Sequence, residues 1–165
     1  MQARINNPAL TFPGAMDALQ KLAAAARGSG VPLTTLYLIE LRASQINGCS
    51  ICVDMHSREL KAVGEPDERI LTVAAWRETP YFTDAERAAL ALAEAATRLA
   101  DRPDSVSDEI WEEAARHYDE SALAGLVLAI AGINAWNRLN ATTRQISGAW
   151  VGNWVEQNAG VSQAA

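Results

Sequence analysis

Apolar residues, many of them alanine, recur along this chain at the three- and four-residue spacing of an α-helix. In the stretch 120–139, Leu123, Leu126 and Ile133 fall within about 60° of Ile130 on a helical projection. Hydrophobic residues make up 49% of the sequence, and alanine favours closely packed helices over sheets. The sequence therefore predicts an all-α fold.

Glycine, proline and N-capping residues divide this pattern into helices. The Asn47-Gly48 pair is a helix-breaking turn, and Thr83 followed by Glu86 predicts a capping box at a helix start. Residues 1–12 look like an irregular arm. We expect a bundle of about seven helices, spanning roughly 13–27, 32–47, 50–63, 67–76, 83–99, 107–117 and 120–139, followed by a C-terminal amphipathic helix.

The whole chain, residues 1–165, is interpreted as one domain with its core in about 15–140. A tail over 142–157 repeats apolar residues at helical spacing and carries two tryptophans, Trp150 and Trp154. Such an apolar face is too large to leave exposed to water on a small acidic protein. We expect it to dock on a neighbouring subunit or across its own bundle.

Charge and hydropathy exclude several classes of function. The formal net charge is −6, which argues against a non-specific nucleic-acid binder. We expect no apolar run that approaches the roughly 20 residues of a membrane span, and the first residues lack the apolar core of a signal peptide. A cytoplasmic location is the default expectation, and in that reducing compartment a Cys-x-x-Cys pair is more often catalytic than structural.

Both cysteines of the chain, and one of its two histidines, lie just after the Asn47-Gly48 turn. A helix that starts near Cys49 places both thiols at its N-terminus, where the helix dipole favours a thiolate. With Cys52 at zero, Cys49 falls at about +60°, His56 at about +40° and Glu59 at about −20° on the projection. All four side chains share one face of the helix.

Two thiols one helical turn apart can close a disulfide, and a histidine one turn later can take a proton or stabilise a thiolate. Two alternatives stay open. The cysteines can be small buried apolar residues, or Cys49, Cys52 and His56 can supply three zinc ligands, although no fourth Cys or His is nearby. Covalent haem attachment is excluded, because Val53 rather than histidine follows the second cysteine.

The run from Leu41 through Ile46-Asn47-Gly48-Cys49-x-x-Cys52-x-x-x-His56 resembles the core motif of the alkylhydroperoxidase D (AhpD)-like, carboxymuconolactone decarboxylase superfamily. The resemblance continues through 76–83 and 133–138, so it covers roughly residues 15–140. It implies an all-helical fold, assembly into a homotrimer or homohexamer, and thiol peroxidase activity in members that keep both cysteines.

One position departs from the family pattern. Peroxidase members carry a relay glutamate twelve residues before the first cysteine, and Tyr37 occupies that position here. Glu40 follows three residues later and can share the helical face of Tyr37. Glu40 either substitutes in the relay or is an ordinary solvated or ion-paired residue, for example with Arg42.

The first functional hypothesis is a two-cysteine peroxidase that reduces hydrogen peroxide or small organic hydroperoxides and is recycled by a dithiol or thioredoxin-like reductant. Cys52, close to His56, is the better candidate for the attacking thiolate, and Cys49 for the resolving thiol that faces the reductant, although the opposite assignment stays open. Glu40 and Tyr37 complete the candidate site.

We expect no cofactor, metal, nucleic acid or membrane to be involved. The alternatives are a thiol–disulfide exchange or sensor protein without meaningful peroxidase activity, and a lactone decarboxylase.

Overall fold

A computed structural model describes residues 1–101 and 103–158, and within these ranges the chain is helical without a strand. The predicted all-α fold is confirmed. The end of the predicted domain, 159–165, lies outside the described residues. The helices are α1 (Pro8–Thr11), α2 (Ala15–Arg27), α3 (Leu33–Asn47), α4 (Ser50–Ala62), α5 (Asp67–Thr72), a 3₁₀ segment (Val73–Glu78), α6 (Asp84–Thr97), α7 (Asp108–His117), α8 (Glu120–Thr143) and α9 (Ala149–Asn158).

Local signals account for most of the helix ends. Gly48 ends α3 with a φ of 68°, a left-handed conformation that glycine adopts without a steric penalty. Thr83 and Glu86 form the predicted capping box at the start of α6. The predicted boundaries differ most from the observed ones where the sequence signal for a helix end was weak. Helix α5 passes into a 3₁₀ segment, and α8 continues to Thr143.

Helix α3 lies at the centre of the bundle, where it packs against α4, α6 and α8, and α2 also packs against α8. Leu38, Ile39 and Leu41 of α3 are completely buried. They join the main hydrophobic core with Leu90 of α6 and Leu126 of α8. Because α3 is buried on several sides, the position of its C-terminal end is fixed. The turn that leads into α4 follows directly from this end.

Helix α8 is long and apolar enough, by length and composition alone, to cross a membrane, with a mean hydropathy of 1.3 over 18 residues. The expectation that no apolar segment approaches this length is therefore corrected. Half of that window is buried inside the protein, where α8 packs against α2, α3 and α6. The core helix of a soluble protein has the same properties.

The N-terminal arm and the C-terminal helix both pack against the bundle. The arm expected to be irregular contains the short helix α1, and the Arg4 backbone N–H donates to the Thr143 carbonyl at 2.9 Å, at the end of α8. At the other end, α9 packs against α4 of the same chain. The amphipathic tail thus lies across its own bundle.

Candidate active site

The turn between α3 and α4 places the two cysteines one helical turn apart. Cys49 is the N-cap of α4, and its sulfur accepts the backbone N–H of Cys52 at 3.4 Å. The two Cα atoms are 5.4 Å apart, and the sulfurs form a disulfide, at a separation that such bonds require. The predicted pair is therefore brought together in its oxidised form.

Both cysteines are buried, with 2% of Cys49 and 3% of Cys52 exposed. The expectation that Cys49 faces an external reductant is wrong for the single chain. Val151 of α9 is fully buried beside the cysteines, so the C-terminal helix contributes to their cover. The apolar cluster around the disulfide comprises Ala43, Cys49, Ile51, Cys52, Ile133 and Val151.

His56 lies between two carboxylates. Its Nδ1 atom is 2.8 Å from Oε2 of Glu59 and 3.4 Å from Oε2 of Glu40. Only 10% of the His56 side chain is exposed, and the two glutamate side chains are exposed by 8% and 14%. The structure thus joins the α4 histidine to an acidic residue from α3 in a mostly buried setting.

This environment shifts the protonation of both partners. Burial raises the pKa of Glu40 from 4.5 to about 7, and the neighbouring Glu59 adds to the rise while His56 opposes it. Burial alone would lower the pKa of His56, but Glu40 and the hydrogen bond with Glu59 outweigh it, and the His56 pKa rises above 6.5. The cluster can therefore hold or release a proton near neutral pH.

The alternative partner considered for Glu40 is occupied elsewhere. Arg42 lies two positions further along α3 and points to another face, where its Nε donates to Glu94 at 2.5 Å. Tyr37, at the family's relay position, is 1% exposed, and its ring centroid lies 6.3 Å from that of His56. Glu40 and Tyr37 therefore both lie beside the histidine.

Glu40, His56 and Glu59 are also the described side chains close enough together to hold a metal ion, because their ligand atoms lie within 4.8 Å of one another. One imidazole and two carboxylates suit several divalent cations. The zinc alternative from the sequence used Cys49 and Cys52 instead, and their sulfurs are joined to each other here.

Sequence reasoning missed two residues of this site. Glu59 was placed on the correct face of α4 but was given no role, and it is the hydrogen-bond partner of His56. Asn140 on α8 donates from Nδ2 to the Cys52 sulfur at 3.4 Å, and no local signal connects residues so far apart in the chain. Two other asparagines of α8, Asn134 and Asn137, accept hydrogen bonds from Nδ2 of Asn47 at 3.0 and 2.8 Å and so anchor the turn.

Fold and site together define an all-helical protein with a Cys-x-x-Cys disulfide at the start of a helix and a histidine one turn later. The profile of the carboxymuconolactone decarboxylase family matches residues 13–95. The chain belongs to this family, and the resemblance to AhpD-like proteins predicted from the motif is confirmed.

Relatives of the chain agree with this placement. It is 37% identical over 128 residues to the uncharacterized protein YdfG of Bacillus subtilis (strain 168), covering 78% of this chain and 86% of YdfG. A shorter match of 43 residues, 46% identical, links it to the alkyl hydroperoxide reductase AhpD of Bradyrhizobium diazoefficiens, with 26% of this chain and 24% of that protein covered.

A solved structure shares the whole fold. A protein of unknown function from Agrobacterium tumefaciens, for which an antioxidant defence role of the AhpD type has been suggested, superposes with a TM-score of 0.82 at 34% identity. The superposition covers 90% of this chain and 99% of that one. The family, as its name and the AhpD relative indicate, includes enzymes.

Proposed function

We propose that the protein is a thiol-dependent peroxidase that reduces hydrogen peroxide or small organic hydroperoxides through the Cys49–Cys52 pair. The observation that carries the proposal is the disulfide one helical turn before a buried histidine that is flanked by two carboxylates. Such an arrangement supplies a nucleophile, a resolving thiol and a proton carrier within one site.

In the proposed cycle, a thiolate attacks the O–O bond of the peroxide and becomes a sulfenic acid, while the alkoxide or hydroxide that leaves takes a proton and departs as alcohol or water. The second thiol then condenses with the sulfenic acid, and a disulfide and one water are formed. A dithiol reductant, oxidised to its own disulfide, returns both cysteines to thiols.

The cluster of His56, Glu40 and Glu59 serves as the proton carrier in this cycle. With a pKa of about 7, Glu40 exchanges a proton near neutral pH, which suits a general acid or base. Its carboxylate reaches His56 although it does not occupy the family's relay position. We therefore assign the relay role to Glu40, with Tyr37 packed beside the imidazole.

The first test is peroxide consumption by the reduced protein with a small dithiol as the electron source. We expect Cys49→Ser, Cys52→Ser and the double variant to abolish turnover, because the chain contains no other cysteine. His56→Gln is expected to slow turnover about a hundredfold, whereas His117→Gln, at an exposed histidine of α7, serves as the matched control. Unchanged turnover in the double variant would contradict the proposal. Repeating the assay with a chelator distinguishes thiol-dependent turnover from metal-dependent turnover.

Tyr37 at the relay position favours one alternative, a protein that exchanges disulfides without reducing peroxide efficiently. Stopped-flow mixing separates the two functions. The cysteines of a peroxidase are oxidised rapidly by peroxide, whereas those of an exchange protein are oxidised slowly by peroxide and rapidly by an oxidised dithiol.

We further propose that the physiological reductant is a dithiol or thioredoxin-like protein.

A further inference from the structure

The buried sulfur of Cys52 receives a hydrogen bond from a part of the chain that the proposed cycle does not use. Asn140 is 5% exposed, and its Nδ2 atom lies 3.4 Å from Cys52 Sγ. Its Oδ1 atom accepts from Nδ2 of Asn7 at 2.9 Å. A row of two side-chain amides thus runs from the N-terminal arm to the redox pair.

The direction of this row is fixed at its outer end. The backbone N–H of Ala9 can only donate, and it donates to Oδ1 of Asn7 at 3.0 Å. The Asn7 amide must therefore turn its NH₂ group towards Asn140, and Asn140 must in turn present its oxygen to Asn7. The remaining group of Asn140, its NH₂, then faces the Cys52 sulfur.

The arm that carries Asn7 is itself held in place. The Arg4 guanidinium donates to the Thr142 carbonyl at 2.9 Å, and Nε2 of Gln145 donates to the Ile5 carbonyl at 2.9 Å. These bonds join Arg4 and Ile5 to the last turn of α8 and the residues that follow it, close to Asn140. The arm is therefore held against the protein immediately before Asn7.

We propose that Asn140 is a catalytic residue that stabilises the thiolate of Cys52, and that Asn7 is a positioning residue that holds the Asn140 amide in the required orientation. A disulfide sulfur is a weak acceptor, whereas a thiolate is a strong one. The same N–H group therefore binds the reduced, ionised state most strongly, so it lowers the pKa of the Cys52 thiol. A lower pKa favours Cys52 over Cys49 as the attacking thiolate. This assignment of the attacking thiolate rests on the proposed function.

The test measures the pKa of Cys52 from the pH dependence of its alkylation by iodoacetamide, in a Cys49→Ser background that leaves one thiol. Asn7→Asp keeps an oxygen for the Ala9 N–H and so keeps the cap of α1, but it removes the donor to Asn140. The Asn140 amide then turns its NH₂ group to Asp and its oxygen to the sulfur. We expect the Cys52 pKa to rise by about one unit, the effect of losing one hydrogen bond to a charged group.

Two further variants complete the design. Asn140→Leu removes the donor directly and should raise the pKa by a similar amount. Asn6→Asp makes the same charge change at an exposed neighbour of Asn7 and should leave the pKa unchanged. Repeating the titrations in about 1 M salt, where the Debye length is about 3 Å, screens any long-range effect of the added charge.

A wild-type Cys52 pKa in folded Asn7→Asp protein, or an equal rise in Asn6→Asp, would overturn the inference. If Asn140→Leu does not fold, as judged by circular dichroism, Asn7→Asp alone decides the matter. The titration uses no peroxide. Loss of peroxidase activity in all assays would therefore refute the proposed function without affecting this result.

Discussion

At the scale of single residues, the charge of the Glu40 side chain is the most consequential feature of the site. Its pKa of about 7 lies above its ordinary value of 4.5, so the folded state binds this proton more tightly than the unfolded state. The stability that this proton contributes is fully present below about pH 4.5 and is lost as the pH rises through about 7.

Glu40→Gln should remove this pH dependence. Between pH 5 and 8, we expect the unfolding free energy of the wild type to fall by about 2 kcal/mol relative to the variant. Urea denaturation at four pH values measures the difference. His56, whose pKa is also raised, contributes in the same direction in the wild type.

The matched control for this experiment is Glu112→Gln, which changes an exposed glutamate of α7. Its stability should follow that of the wild type across the same pH range. Parallel curves for the wild type and Glu40→Gln would contradict the raised pKa of Glu40.

At the scale of secondary-structure elements, α9 decides how the disulfide meets solvent. Val151 is fully buried in the cluster that contains both cysteines, and Ser147, just before α9, donates to Asp54 of α4 at 2.5 Å. We therefore expect that α9 must move away from α4 before a reductant can reach the sulfurs.

Val151→Asp should weaken the docking of α9 and expose the disulfide. Because burial of a valine contributes about 1.5–3 kcal/mol, we expect reduction by dithiothreitol to be at least about tenfold faster than in the wild type. Asn153→Asp introduces the same residue at an exposed position of α9 and is the matched control. Equal reduction rates in all three proteins would show that α9 does not limit access.

At the scale of the whole molecule, several large apolar side chains are exposed on the single chain, among them Leu10, Phe12, Leu71, Trp111 and Trp150. Where such side chains lie together, they form the kind of apolar surface through which a protein associates with copies of itself. We expect a homotrimer or homohexamer. Light scattering coupled to gel filtration should give three or six times the chain mass of 17.7 kDa, and a mass of one chain would contradict the proposal.

The sequence by itself determined the helical class, most helix boundaries and the shared face of Cys49, Cys52 and His56. These features depend on local physics: a glycine in a left-handed conformation, a capping box, and side chains three or four positions apart on one helix. Each is set by interactions within a few residues, so a periodic sequence is sufficient to predict it.

Only the tertiary structure decided which partners these residues meet. The sequence left Glu40 between His56 and Arg42, and the packing of α3 against α4 directs it to the histidine. The contact between Asn140 and Cys52 spans 88 positions, and that between Asn7 and Asn140 spans 133. Such contacts depend on how whole helices pack, because the burial that determines packing is summed over the entire core rather than encoded in any local stretch.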